Sequence, residues 1–177
     1  MVAVTRTIVV TTPRLDVRLW RPDEAAALHA ILGDPVTMHA WPAPLELPAA
    51  QTWIEAGLDR FTRNGTARFA LERREDGALI GDAGLVPTQV AGRDILDLGY
   101  IVHYPYWRLG FGFEAVSALV RYAFDTLHMP AVHAHMATDN VASYRLAEKL
   151  GMRPIDEFPH ERDRGKTHRL YELRAGP

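Results

Sequence analysis

The feature that most constrains the fold is a run of three strand-like segments joined by very short turns. "TARFALERR", "ALIGDAGLVPTQ" and "DILDLGYIVH" are separated by "EDG" and "AGR", each short enough for a hairpin. They predict an antiparallel meander, because a parallel return needs a crossover of roughly a dozen residues or more. Such crossovers follow. Pro105 interrupts the third strand, and "GFEAVSALVRYAFDTLHM" reads as an apolar-rich helix. "AVHAHMAT" reads as a strand, "DNVASYRLAEKLG" as a helix closed by Gly151, and the tail offers strands near "MRPIDEF" and "THRLYELRA". Upstream, Leu15, Val17 and Leu19 alternate with Arg14, Asp16 and Arg18, as in a strand with one buried face. "RPDEAAALHAILG" reads as a helix, with Pro22 in its first turn, Asp23 and Glu24 favouring its dipole, and Gly33 ending it. Trp53, Ile54, Leu58 and Phe61 mark a second helix ending at Asn64-Gly65, after the proline-punctuated loop "DPVTMHAWPAPLELP". The prediction is a mixed α/β sheet flanked by helices, with hairpin and crossover connections, in one domain over residues 1–177.

Composition narrows the partners. With 47% hydrophobic and 24% charged residues the chain sits on the globular average. A formal net charge of −2 argues against nucleic acid as the main partner. No apolar run approaches the roughly 20 residues of a membrane span, and "MVAVTRTIVVTTPRL" lacks the features of a signal peptide. The absence of cysteine excludes a disulfide framework, a thiolate metal site and a cysteine nucleophile. The expected setting is the cytoplasm.

The stretch "YWRLGFGFEA" raises the functional question. Gly110, Gly112 and Ala115 fit the dinucleotide fingerprint G-x-G-x-x-G/A. That fingerprint should close the first strand of a βαβ unit and precede, by about 20 residues, an acid for the ribose. Here a meander precedes it, "HYPYW" intervenes, Asp125 lies inside the helix and Asp139 comes too late. A dinucleotide-dependent oxidoreductase is therefore the lesser alternative. The loop physics remains: small residues let backbone N–H groups converge on an anion at a helix N-terminus, where Arg108 adds a full charge. The bland alternative is that the glycines turn the chain while Phe111 and Phe113 fill core.

Context decides between these. Gly99-Tyr100, Tyr106-Trp107, Gly110, Glu114-Ala115, Asn140, Ser143 and Leu150-Gly151, in that order, resemble the GCN5-related N-acetyltransferase (GNAT) superfamily, specifically its RimJ/RimL-like branch. "TPRLDVRLWRPDEAAAL" and "DPVTMHAW" resemble that branch's opening, so the likeness covers most of the chain. The resemblance implies the GNAT fold, a central mixed, mostly antiparallel sheet whose splayed central strands bind acyl-CoA. It implies acetyl-CoA as co-substrate and a primary amine, a protein N-terminus or a small molecule, as acceptor. The loop Arg108, Leu109, Gly110, Phe111, Gly112 and Phe113 would hold the pyrophosphate. Trp107 stands where the wider family has Gln or Arg, so the loop cation has shifted to Arg108.

The same resemblance places the pantetheine along Ile101, Val102 and His103, with a backbone N–H of Ile101 or Val102 polarising the thioester carbonyl. It gives Asn140 a pantetheine contact and Ser143 the place of proton donor to the leaving thiolate, because the tyrosine of many relatives is replaced here by Ala147. Asn140 is equally a helix cap by residue type. Asp97 and Glu161 are the candidate bases, each also readable as an ordinary surface or turn acid. A free α-amine near pKa 8 is about a tenth neutral at pH 7, whereas lysine costs roughly 3 kcal/mol more to deprotonate. Trp41, between the amino-terminal helices, is the candidate acceptor contact.

His133 and His135 share a strand face at a spacing that can hold a metal, but no third ligand stands at a diagnostic spacing, and exposed alternation explains them. No metal is expected. "HERDRGKTHR" mixes signs and reads as a solvated hairpin tip. A non-catalytic acyl-CoA sensor remains the second alternative, and a homodimer stays open.

Overall fold

The computed structural model describes residues 6–176. The elements run β1 (Ile8–Thr11), β2 (Leu15–Arg18), α1 (Ala25–Leu32), α2 (Leu47–Asn64), β3 (Arg68–Arg73), β4 (Leu79–Val90) and β5 (Arg93–Val102). They continue as α3 (Phe111–Arg121), β6 (Ala131–Ala137), α4 (Val141–Lys149), β7 (Arg153–His160) and β8 (Lys166–Arg174). Among the described residues, eight strands form one sheet in the order β1-β2-β3-β4-β5-β6-β8-β7. Every neighbouring pair is antiparallel except β5 and β6, which the α3 crossover makes parallel. The meander is β3-β4-β5, as the turn spacing predicts.

Each face of the sheet has its own apolar packing. On one face Leu28, Ile31 and Leu32 of α1 and Ala50 and Ile54 of α2 pack with Trp20, Ala70 and Ile101. On the other, Ala115, Val116 and Leu119 of α3 pack with Val17, Phe69, Leu85, Leu96 and Leu98, and Ala147 of α4 joins them. Alternation along β5 thus sends Ile101 to one face and Leu96 and Leu98 to the other. The residues between them, Asp97 and Gly99, fall on the α2 face.

Four local features differ from expectation. β2 has no exposed face: Asp16 and Arg18 are buried along with Leu15 and Val17. Mutual compensation explains this, since Arg18 bridges Glu24 and Glu72 while Arg6 bridges Asp16 and Glu72. Glu24 is consequently buried at the boundary of α1, which begins after it and not at Pro22. "IVVT" near the amino terminus forms the additional strand β1, an edge partner of β2. The β7–β8 hairpin tip is also not wholly solvated, because Asp163 is buried against His168, with Oδ2 2.9 Å from Nε2.

Candidate active site

The site begins where the sheet opens. β5 pairs with β4 along its whole length, from Gly81 opposite Val102 to Val90 opposite Arg93. Against β6 it pairs at a single position, Asp97 opposite His133. Beyond that point the two parallel strands separate, leaving a gap along the carboxyl half of β5. The hydrogen-bond parity of β5 follows from one contact: His103 donates its N–H to the Ile80 carbonyl, 2.8 Å away on the β4 side. Antiparallel ladders alternate, so Ile101 also turns its N–H toward β4. Tyr100 and Val102 turn theirs into the gap. Of the two thioester-polarising candidates, Val102 is the one so directed. Its carbonyl accepts from Trp107 Nε1 at 2.6 Å, which fixes the strand end against the following turn.

The glycine loop flanks this gap. Arg108 and Gly110 both have left-handed backbones, with φ of 63° and 83°, a conformation that only glycine adopts without cost. Gly110 ends the loop at the N-terminus of α3, which has no side-chain cap, so its first N–H groups are free for an anion. Phe111 turns inward and fills core while its backbone stays at the helix start. The bland and the functional readings of the loop are thus compatible. Arg14 braces the loop from outside: its Nη1 donates to the Leu109 carbonyl at 2.9 Å, its Nε to Glu114 at 2.7 Å, and it covers the Phe111 ring. Arg108 and Leu109 are exposed, and Phe113 is half-buried beneath Lys149.

α4 closes the other side. Asn140 caps it, with Oδ1 accepting from the Ser143 N–H at 3.3 Å. Ser143 lies against the Tyr100 phenol, whose pKa burial raises and Ser143 partly offsets. Residue type and spacing gave no sign of Tyr100 as a polar neighbour of Ser143. The two come from strands and helices 43 positions apart.

A cleft of about 910 Å³ passes through the gap and out to the hairpin tip, bordered by Trp53, Arg68 and Asp97 on the α2 face, by Ser143 on the α4 side, and by Trp41 and Glu161 farther out. Asp97 lies deep in it, at the position where β5 and β6 part. Burial pushes its carboxyl up to about 6, against the Arg68 guanidinium and the His135 backbone N–H, which both favour the ionised form. In a continuing parallel ladder that N–H would have gone to β5; the Asp97 side chain faces it instead. Arg68 is itself held by the wholly buried Asp82, Nε to Oδ1 2.5 Å, which also receives the indole N–H groups of Trp20 at 2.9 Å and Trp53 at 3.3 Å. Gly99 makes room for it: a Cβ there would sit 2.1 Å from Arg68 Nη1. Arg68 is a part of the site that the sequence reading missed, because only pairing with β4 brings it to Asp97.

The outer end of the cleft is formed by the loop carrying Trp41 and by the β7–β8 hairpin, joined by a 3.3 Å hydrogen bond from Arg164 to the Pro42 carbonyl. Trp41 and Glu161 are exposed at this mouth, farther out than Asp97. The two β6 histidines are not exposed as expected. His133 is partly buried with Nε2 3.3 Å from Glu172, and His135 is partly buried in the cleft wall. Burial, with His168 and His160 beside it, pushes the His135 imidazole down to about 4.

The fold that carries this site is shared with acetyltransferases among solved structures. The acetyltransferase (GNAT family) from Bacillus anthracis superposes with a TM-score of 0.78 over 93% of this chain and 97% of that one, at 20% identity. The microcin C7 self-immunity acetyltransferase MccE, in complex with acetyl-CoA and AMP, superposes with a TM-score of 0.80 over 99% and 100%, at 13% identity. In sequence, the uncharacterized N-acetyltransferase YoaA of Bacillus subtilis is 30% identical over 145 residues, 81% of each chain. The acetyltransferase (GNAT) domain model matches residues 14–153. The chain belongs to the GNAT acetyltransferase family.

Proposed function

We propose that this protein transfers an acetyl group from acetyl-CoA to a primary amine by direct attack, with both substrates bound at once. The observation that carries the reading is the parting of β5 from β6 at Asp97, which puts a carboxylate at the junction of the gap and the cleft. The residues present fit acetyl-CoA. The uncapped start of α3 suits its pyrophosphate, with Arg108 as the loop cation, and the free edge of β5 suits an added strand of pantetheine. Bound there, acetyl-CoA supplies an activated thioester. His103, tied to β4 through its N–H, anchors the end of that edge.

The chain's own groups then divide the work. The Val102 N–H polarises the carbonyl oxygen. Asp97 takes the proton of the incoming ammonium, directly or through one water, and Arg68 keeps that carboxylate oriented. Ser143, backed by Tyr100, gives a proton to the departing thiolate sulfur and regains one, directly or through water, from the nitrogen that has attacked, and Asn140 holds the helix start that carries it. Glu161 and Trp41, at the mouth, contact the acceptor. The RimJ/RimL-like features favour a protein α-amine as acceptor. A group near pKa 8 also asks less of Asp97 than lysine would.

The test is coenzyme A release with a panel of peptide N-terminal and small amines, for wild type, Asp97→Asn and Ser143→Ala. Asp97→Asn should lower kcat by roughly 10²–10⁴-fold with acetyl-CoA affinity unchanged. Full activity in both variants would remove the roles assigned here, and acetyl-CoA binding without turnover of any amine would favour the sensor.

A further inference from the structure

The folded chain assembles a cluster that no spacing in the sequence shows. His135 on β6, His160 at the end of β7 and His168 on β8 converge in the cleft wall, with one ring nitrogen of each within 4.8 Å of the others. His135 Nδ1 and His168 Nδ1 stand 3.1 Å apart. Two ligands of a tetrahedral ion with metal–nitrogen bonds of about 2.05 Å are separated by about 3.3 Å, so this pair already has the spacing of shared coordination. The His160 ring stacks on His168 at 4.4 Å between centroids, and its Nδ1 is buried with no hydrogen-bond partner among the described residues. His168 turns its other nitrogen, Nε2, to the buried Asp163 carboxylate at 2.9 Å. A carboxylate behind an imidazole is the arrangement that fixes the tautomer and orientation of a metal-binding histidine.

We infer that His135, His160 and His168 form a binding site for a divalent transition cation of the zinc class, with Asp163 as a positioning residue behind His168. Three imidazoles without a thiolate suit zinc and its neighbours better than calcium or magnesium, which take oxygen ligands. All three histidines border the cleft, so the remaining coordination position faces the acceptor side. His160 adjoins the hairpin turn and is partly exposed. The expectation of no metal rested on His133 and His135. Tertiary structure replaces His133, which is engaged with Glu172, by two histidines from other strands. The inference does not depend on the acyl-transfer reading.

The experiment titrates tag-free, chelator-treated protein with Zn²⁺ alone by calorimetry, with acetyl-CoA titrated into parallel samples. Wild type should bind one equivalent, and Co²⁺ in its place should give the visible absorption of a four-coordinate ion. His135→Ala and His168→Ala should weaken binding by about two orders of magnitude, and Asp163→Asn by about 10–100-fold. His160→Asn, a change at a partly exposed position at the end of β7, serves as the mild variant, and circular dichroism confirms the fold of each. No stoichiometric binding by wild type, or unchanged binding in folded variants, overturns the site. Acetyl-CoA binding reports separately on the acetyltransferase reading.

Discussion

At the scale of single residues, the site depends on charges held against one another in little space. Asp82 fixes Arg68, Arg68 lies over the bare backbone of Gly99, and Asp97 faces both that guanidinium and the opening of the sheet. Gly99→Ala should therefore displace Arg68 and disturb Asp97 without touching the anion loop. The expected result is a loss of about 1–3 kcal/mol in thermal or urea unfolding, the usual cost of overpacking, with reduced kcat and retained acetyl-CoA binding. A variant as stable and as active as wild type would show that Arg68 does not position the carboxylate. The residue types at Asp97, Asn140 and Ser143 were legible from sequence as candidates, yet their partners were not. Tyr100 beside Ser143 and Arg68 beside Asp97 both depend on strand pairing and on sheet face, which no local pattern specifies.

At the scale of elements, the most demanding part is the buried ion cluster tying β1, β2 and β3 to the start of α1. Arg18 is 1% exposed and engages Glu24 and Glu72. Removing one partner of a buried pair leaves an uncompensated charge, typically at a cost of about 3–5 kcal/mol. Arg18→Met is expected to fall in that range by urea unfolding at neutral pH. Glu72 adds a pH signature. Burial by itself would raise its carboxyl, but hydrogen bonds from Arg6 and Arg18 reverse this and hold it below the ordinary 4.5. A carboxyl depressed in the folded state contributes stability that is fully present above its unfolded value and is lost as pH falls through the folded one. The stability gap between wild type and Glu72→Gln should therefore narrow as pH drops below about 4.5. A gap independent of pH would show that the charge of Glu72 is not what stabilises. Alternation alone misread β2 here: Arg18 and Asp16 look solvent-facing in a period-two pattern, and only partners from other segments, Glu24 and Glu72 for Arg18 and Arg6 for Asp16, compensate their burial.

At the scale of the whole molecule, chain order determined much of what function needs. Short turns demanded the β3-β4-β5 meander, the crossover through α3 gives β5 a parallel neighbour in β6, and the crossover through α4 sets β7 parallel to β6 across β8. The place where β5 and β6 part was not legible from residue patterns, because it reflects sheet geometry and not composition; only the family likeness implied it. The histidine cluster was invisible for a related reason. Its members lie on β6, β7 and β8, with His135 and His168 33 positions apart, and the antiparallel pairing of those strands is what gathers them. The lack of cysteine rules out thiolate chemistry by composition, but composition does not speak to a cluster built from histidines alone.

The central claim is that the parted strands and the start of α3 hold an acyl-CoA. Calorimetric titration of the purified protein with acetyl-CoA tests it most directly, with NADH as comparator and Gly110→Val as the loop variant. Gly110 needs its left-handed backbone to present the helix start, so valine should abolish binding while the melting temperature confirms that the variant is folded. The account predicts micromolar binding of acetyl-CoA by wild type, none by Gly110→Val and none of NADH by either. No heat with acetyl-CoA, or heat with NADH in its place, would contradict it.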